Sequence, residues 1–472
     1  MGNDILSFWD ILGPIFYLPI IFLSAFRIKN KNESKNPIYK YYTKGLIAKI
    51  AGAIIFCLIY ALYYKGGDTV NYYKSCIAMN NLMTYNFSQY FDLMTGGRYW
   101  YFDEYTGLPE KYMYDDPETF FIVLLANPLV FLGFKSFLTS SILIAWVSYS
   151  AVWKFYTMYT ELYPKMAKQL SYAILFMPSP LFWGSGIAKD TFAYFSALWL
   201  VVNFYKIFIK REKLVINIIM SIINIYILIK IKPYIVISIL PILIIWVLYY
   251  PISKIKNQFL KFVTAPAILV VGMLLGGTAL NMMSGSLGRY SSYDKIITKA
   301  QITQADHLRE EAYGSNNYNI GTYDGSLRSM IRVGPLAIIT ALYRPFIFEA
   351  NNVLMLISGL ENTFLLILTI MIIFKAGIVK AFNRAVSEPL LLVSILFTII
   401  FSYGIGISAA NFGALVRFKI PLIPFFTSAI FIMMEKHRLE KEIQEQKQKE
   451  IEEALASKRA KIPGFTNKRF KL

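Results

Sequence analysis

The chain has 472 residues, of which 56% are hydrophobic and only 16% charged, against the roughly one quarter charged that soluble domains carry. Apolar runs of about 20 residues, enough to cross a bilayer core of roughly 30 Å, recur along its length, which excludes a soluble globular domain and predicts an all-α polytopic membrane protein. The formal charge of +19 does not argue for a nucleic-acid partner, because the basic residues sit in short inter-span loops and in the tail, where anionic lipids attract them.

The first apolar stretch, residues 5–26, has neither a basic leader nor a small-residue cleavage site, and it reads as a retained helix. Residues 27–44 carry six basic side chains against the single acid Glu33, so the positive-inside rule puts them in the cytoplasm and the N-terminus outside. Residues 46–64 then cross outward into a long polar segment, 65–118, which opens on Gly66-Gly67-Asp68 and is rich in acids. Cys57 and Cys76 offer no metal spacing and are not expected to pair.

Residues 119–134 are apolar but short, and Asn127-Pro128 interrupts them. The basic 165–168 turn and 206–213 loop are both cytoplasmic only if this stretch fails to cross, so it is expected to be an external interfacial or re-entrant helix. Residues 137–159 cross. Pro178, Pro180 and Gly184 break up 170–188, which ends outside at Lys189-Asp190. Residues 192–208 return, and 214–229 and 234–250 form a pair around an external turn holding Lys230, Lys232 and Pro233.

Residues 262–283 lead out to a second large polar segment, 284–332, with His307 on a short amphipathic helix expected over 300–312. The same parity argument makes 333–348 a second external interfacial element, and 354–374, 390–404 and 420–434 complete the bundle. The expected architecture is about eleven crossings with two interfacial helices, N-terminus out and C-terminus in. Residues 1–434 form one transmembrane domain, and 435–472 a charged cytoplasmic tail, helical to about Ala456 and disordered beyond.

Charged groups at membrane depth are costly and usually face a cavity or a partner. Those expected on the outer face come from distant parts of the chain. Asp68, at the mouth of a span, suits a general base, a metal ligand or a helix cap. Asp103 lies among aromatics that suit interfacial anchoring or stacking on sugar rings. Asp116 precedes Pro117 and reads equally as an acid near the site or as part of a solvated turn. The break before Lys189 exposes backbone N–H groups beside an ammonium, which favours an anion, with Asp190 either supporting it or pairing with it. Arg344 and Glu349 are expected to pin the second interfacial element as an ion pair or to face the cavity. Arg417 opens the last span, and its fork suits a phosphate if it does not simply reach for the interface. His307 is a proton carrier or a plain surface histidine. No nucleotide-binding signature occurs, so a donor is expected from the lipid phase.

Gly67-Asp68 with Tyr72-Tyr73, the segment from Pro178-Ser179 through Phe182-Trp183 and Ser185-Gly186 to Lys189-Asp190, Arg344-Pro345-Phe346 with Glu349, and Arg417 with Pro421 and Pro424 resemble multi-pass enzymes of bacterial cell-envelope polysaccharide synthesis. These are the polyprenol-dependent glycosyltransferases of the GT-C superfamily and the related O-antigen and exopolysaccharide polymerases. The resemblance spans residues 45–430 on short motifs. It implies a bacterial inner-membrane protein acting on a polyprenyl-linked saccharide donor and a glycan acceptor, within anionic lipid. Asp68 would act on the acceptor or hold a divalent cation, Mg or Mn, with Asp103 or Asp116 as a second acid. Arg417, then Arg344, would hold the donor pyrophosphate, joined by Lys189. The chain lacks a paired acid at the mouth of the first span and a large external C-terminal domain, which favours the polymerase side. The alternative is a transporter or flippase of a lipid-linked saccharide or another anionic solute, which broken helices and internal charges also suit.

Overall fold

The computed structural model describes residues 5–97, 115–253, 258–309 and 316–460. Asp103 lies outside them. The protein is an all-α, multi-pass membrane protein. Seven helices are individually long and apolar enough to span a bilayer, and up to ten spans result if each of three bent helix pairs counts as one. Among the described residues the only β pairing is an isolated bridge between Asn317 and Asn411.

Four helices open the chain: α1 (Trp9–Glu33), α2 (Tyr42–Leu58), α3 (Asp68–Tyr85) and α4 (Phe87–Met94). α5 (Pro117–Leu132) and α6 (Phe137–Leu162) are bent by 109° to one another, the geometry of a broken span or of a re-entrant piece followed by a span. Two short helices, α7 (Ala167–Leu175) and α8 (Pro178–Trp183), replace a continuous span over the proline-broken stretch. Next come α9 (Lys189–Phe204), α10 (Leu214–Ile231), α11 (Pro233–Ser253) and α12 (Gln258–Met282). The second polar segment contains α13 (Ser284–Leu287) and α14 (Tyr293–His307). α15 (Leu327–Tyr343), α16 (Val353–Ala376), α17 (Ile378–Ser387), α18 (Pro389–Ser408), α19 (Phe412–Phe418) and α20 (Ile423–Ala460) complete the chain.

α6 is central, packing against α1, α2, α5, α7 and α9. It buries Tyr149, Phe155, Tyr156 and Tyr159 together with small polar residues such as Ser140, Ser141 and Ser148. Large apolar side chains of α1, α10 and α16 face outward instead, among them Ile15, Ile222 and Phe364. Lipid solvates such faces, while small residues let helices approach closely inside. Asp10 is buried at the start of α1, accepting hydrogen bonds from Ser136 Oγ at 2.8 Å and Leu138 N at 2.7 Å, and so ties α1 to the first turn of α6.

The described start of the polar segment after α2, residues 65–97, is largely helical despite its polar composition. Gly67 has φ +96°, a conformation that favours glycine, and α3 starts directly after it. Asp68 therefore sits in the first turn of α3 rather than capping it. Val70, Tyr73, Cys76 and Leu82 recur at helical spacing and are buried, and α3 packs on α5. The Tyr73 hydroxyl donates to the carbonyl of Lys135 at 2.7 Å, holding α3 to the α5–α6 elbow. α15 has 17 residues and packs against α18. α14 begins seven residues before the amphipathic helix expected from sequence and still carries His307 at its end. α20 runs 38 residues through the start of the tail to Ala460.

Candidate functional site

The site begins where α8 ends. Gly184 and Gly186 allow the link from Trp183 to Lys189 to pass between neighbours. A Cβ at Gly184 would lie 2.6 Å from the Pro180 carbonyl oxygen, and one at Gly186 would lie 2.0 Å from the Phe56 ring. The link delivers Asp190 into the first turn of α9 at 2% exposure. Its Oδ2 accepts from Arg417 Nε at 3.0 Å, and its Oδ1 accepts from Lys232 Nζ. Lys232 comes from the tight α10–α11 turn and is itself buried, its ammonium 4.7 Å from the ring centroid of Phe418. The Arg417 guanidinium lies over Trp183 at 5.7 Å. Asp190 is thus a carboxylate between two cations, and the three together keep a net positive charge.

Other groups converge on this centre. Tyr60, near the end of α2, and Asp68, exposed at the start of α3, both act electrostatically on Arg417. The Tyr234 hydroxyl is buried within the field of Asp190 and Arg417. His307 reaches the same centre from α14, its ring 5.8 Å from that of Phe418. Burial lowers its affinity for a proton, Asp306 pulls less strongly the other way, and Arg417 adds a smaller push in the direction of burial. The net direction favours the neutral imidazole at pH 7.

Four sequence candidates, Lys189, Asp116, Arg344 and Glu349, lie elsewhere. Lys189 does not pair with Asp190. It donates to Thr119 Oγ1 at 2.8 Å and lies 3.7 Å from Asp116 Oδ2. Asp116 is the N-cap of α5, accepting from Thr119 N at 3.2 Å and from the Thr119 hydroxyl, with Pro117 following it in the first helical position. Asp116 and Lys189 together fasten α5 to the start of α9. Partial burial works against ionisation of Asp116, but the Thr119 hydroxyl and Lys189 outweigh it and hold the carboxyl below its usual range. A group so depressed contributes stability above its unfolded pKa and loses it as pH falls through the lower folded value. Asp116→Ala is expected to cost about 1 kcal/mol through loss of the cap. Hydrogen exchange at Thr119 in the wild type should lose protection only below about pH 4, the ordinary aspartate value.

Arg344 and Glu349 form a bidentate pair, Nε meeting Oε1 at 2.9 Å and Oε2 at 3.1 Å, and Glu349 also accepts from Phe346 N at 2.8 Å. The Arg344 guanidinium stacks on Phe412 at 5.0 Å and Tyr318 at 5.5 Å. Arg344 therefore stands at the first residue of α19 while Arg417 stands near its end, about 7.5 Å of helix rise apart. Lys419, just beyond α19 and fully buried, donates to Asn362 Oδ1 at 2.5 Å and to the Arg344 carbonyl at 3.4 Å.

An apolar cavity of about 600 Å³ runs between α2, α8 and α16, within the size range of small-molecule sites. Gly52 and Ile55 of α2, Ile59 just beyond it, Phe182 and Trp183 of α8, and Ile357 of α16 line it. Ile55 and Ile357 are about half exposed. Trp183 belongs to both structures: it closes the groove and carries the Arg417 guanidinium.

Tyr60 was not singled out from sequence, Lys232 was read only as part of the external turn, and Trp183 only as part of the Phe182-Trp183 motif. Among the described residues, no group of three or more His, Cys, Asp or Glu side chains is placed to hold a metal ion. Asp68 thus has no gathered set of donors among them. Comparison of the chain with family models, curated proteins and solved structures finds no match.

Proposed function

We propose that the protein transfers or polymerises glycosyl units from an undecaprenyl-(pyro)phosphate-linked donor to a glycan acceptor at the external face of the bacterial inner membrane. The observation that carries this reading is the junction at Trp183, where a net-positive charge cluster meets an apolar groove open to lipid. A ligand matching both halves has an anionic head and a long apolar chain, as a lipid-linked phosphosugar does. The supporting topology has eleven crossings, reached by adding the broken α7–α8 segment to the ten, with the N-terminus outside and the C-terminus inside.

In this reading Asp68 takes the proton of the acceptor hydroxyl as its oxygen attacks the anomeric carbon. The bond from that carbon to the phosphate oxygen breaks, and its electron pair leaves on the phosphate. Arg417, held in register by Asp190, stabilises that charge, and Lys232 adds to the local positive field. A single displacement inverts the anomeric centre. No step is routed through a divalent cation.

The test is purified protein in proteoliposomes supplied with native lipid-linked glycans and acceptor, with and without a chelator. Product formation supports the reading, and its absence across a panel of such glycans would overturn it. Asp68→Asn should lower the initial rate by about 10²-fold, the lower end of what a general base contributes. The broken helix and the buried charges beside it also suit a flippase. That alternative predicts movement of the lipid-linked saccharide between leaflets with no new glycosidic bond.

A further inference from the structure

α8 has only six residues, with Pro178 at one end and Gly184 at the other. Neither end continues into a helix, yet α8 forms a wall of the groove and presents Trp183 to Arg417. Something other than helical continuity must hold it.

Two buried charges on neighbouring helices meet its two ends. Lys49, in the middle of α2, is 1% exposed, and its ammonium donates to the carbonyls of Pro180, at 3.3 Å, and Gly184. The ring of Tyr194 lies 5.3 Å away. Glu361, in α16, is 6% exposed and accepts from Ser179 N at 2.8 Å through Oε2. Its Oε1 is buried without a hydrogen-bond partner, although Lys419 lies near enough to act on it electrostatically. The carboxylate thus takes an N–H that has no carbonyl within so short a helix, and the ammonium takes the carbonyls at the other end. Between these contacts the α8 backbone rests directly on α2, where a Cβ at Gly52 would fall 2.1 Å from the Leu181 oxygen.

An ionisable side chain in an apolar interior is costly, and each of these two is placed on backbone groups at one end of α8. We infer that Lys49 and Glu361 are positioning residues, one on each helix bordering the groove, that clamp α8 so that Trp183 stays beneath Arg417 and the groove keeps its shape. The inference rests on the proposed donor site for the meaning of Trp183's placement. Its test needs no turnover, so the two can fail independently.

The full-length protein is reconstituted in phosphatidylethanolamine and phosphatidylglycerol vesicles containing a phosphatidylglycerol with a diazirine on its acyl chain. After irradiation, labelling of residues 176–183 is measured relative to α1, which carries neither end of the clamp. Lys49→Met and Glu361→Met are each expected to change this ratio by about fivefold or more, as a wall loosened from its support re-exposes its residues. Lys49→Arg and Glu361→Gln, which keep the donated and the accepted bonds, should stay within about twofold of wild type. A ratio unchanged in both Lys49→Met and Glu361→Met would overturn the inference, as would Lys49→Arg behaving like Lys49→Met. Glu361→Met is close to glutamate in length and, set against Glu361→Gln, decides the question if Lys49→Met does not fold.

Discussion

Arg417→Ala is expected to lower the rate of glycosyl transfer by about 10³-fold, the loss seen when a preorganised charge-stabilising group is removed from a water-poor site. Arg417 is anchored by one edge. Its Nε donates to Asp190 at 3.0 Å and its plane rests on Trp183, which leaves its terminal nitrogens to meet a phosphate that gains charge as the bond breaks. The fold should survive the change, because Asp190 keeps Lys232 as a counter-charge. Lysine at 417 retains the positive charge but neither the fork nor the flat face, so Arg417→Lys should recover only part of the rate. Initial rates in proteoliposomes, with melting temperature measured alongside, separate lost chemistry from lost structure. A rate for Arg417→Ala within a few-fold of wild type would remove Arg417 from the mechanism.

Asp190→Ala should produce the largest loss of stability, roughly 3–5 kcal/mol, as when one partner of a buried ion pair is deleted. Lys232 and Asp190 are both nearly fully buried. Without the carboxylate, two cations would face each other in an apolar interior. Asp190→Asn keeps the shape and still loses the charge, so it should fall in the same direction by less. The informative comparison is the double variant Asp190→Asn with Lys232→Met, which removes a charge of each sign. It is expected to regain much of the melting temperature lost by Asp190→Asn while transfer stays low, because Arg417 has lost its anchor. Recovery of both together would mean that Asp190 serves only the fold.

The apolar runs made the spans legible, because hydropathy alone selects them. The 109° elbow before α6 marks where the apolar run from 117 to 162 breaks, at the point where charge parity divides it into two elements. α3 was hidden because Val70, Tyr73 and Cys76 alternate with Asn71, Lys74 and Ser75, so its mean hydropathy is low although one face is buried. Asp116 was read from sequence as an acid near the site or part of a solvated turn, and neither reading anticipated the helix cap it forms. Lys232 passed as a turn residue because its burial depends on Asp190, 42 positions away. Local sequence holds no trace of that pairing. Lys49 is different. A lone lysine amid Ile47, Ala48 and Ile50 is a visible anomaly in an apolar run, and so is the Glu361-Asn362 pair inside α16. An intramembrane charge is itself the signal, whereas the candidates named from sequence lie at the mouths of spans and in the polar segments.

The distances along the chain between Asp190 and its two counter-charges bear on biosynthesis. Lys232 follows it by 42 residues, whereas Arg417 follows by 227. At a translation rate of about 5–20 residues per second, the second cation emerges roughly ten to forty seconds after the acid. Asp190 and Lys232 can therefore enter the bilayer as a neutral couple, within one insertion event spanning α9 to α11. The net positive charge arises only when α19 arrives, near the end of synthesis, so the nascent chain is spared an unmatched cation at that place until most of its helices are already made.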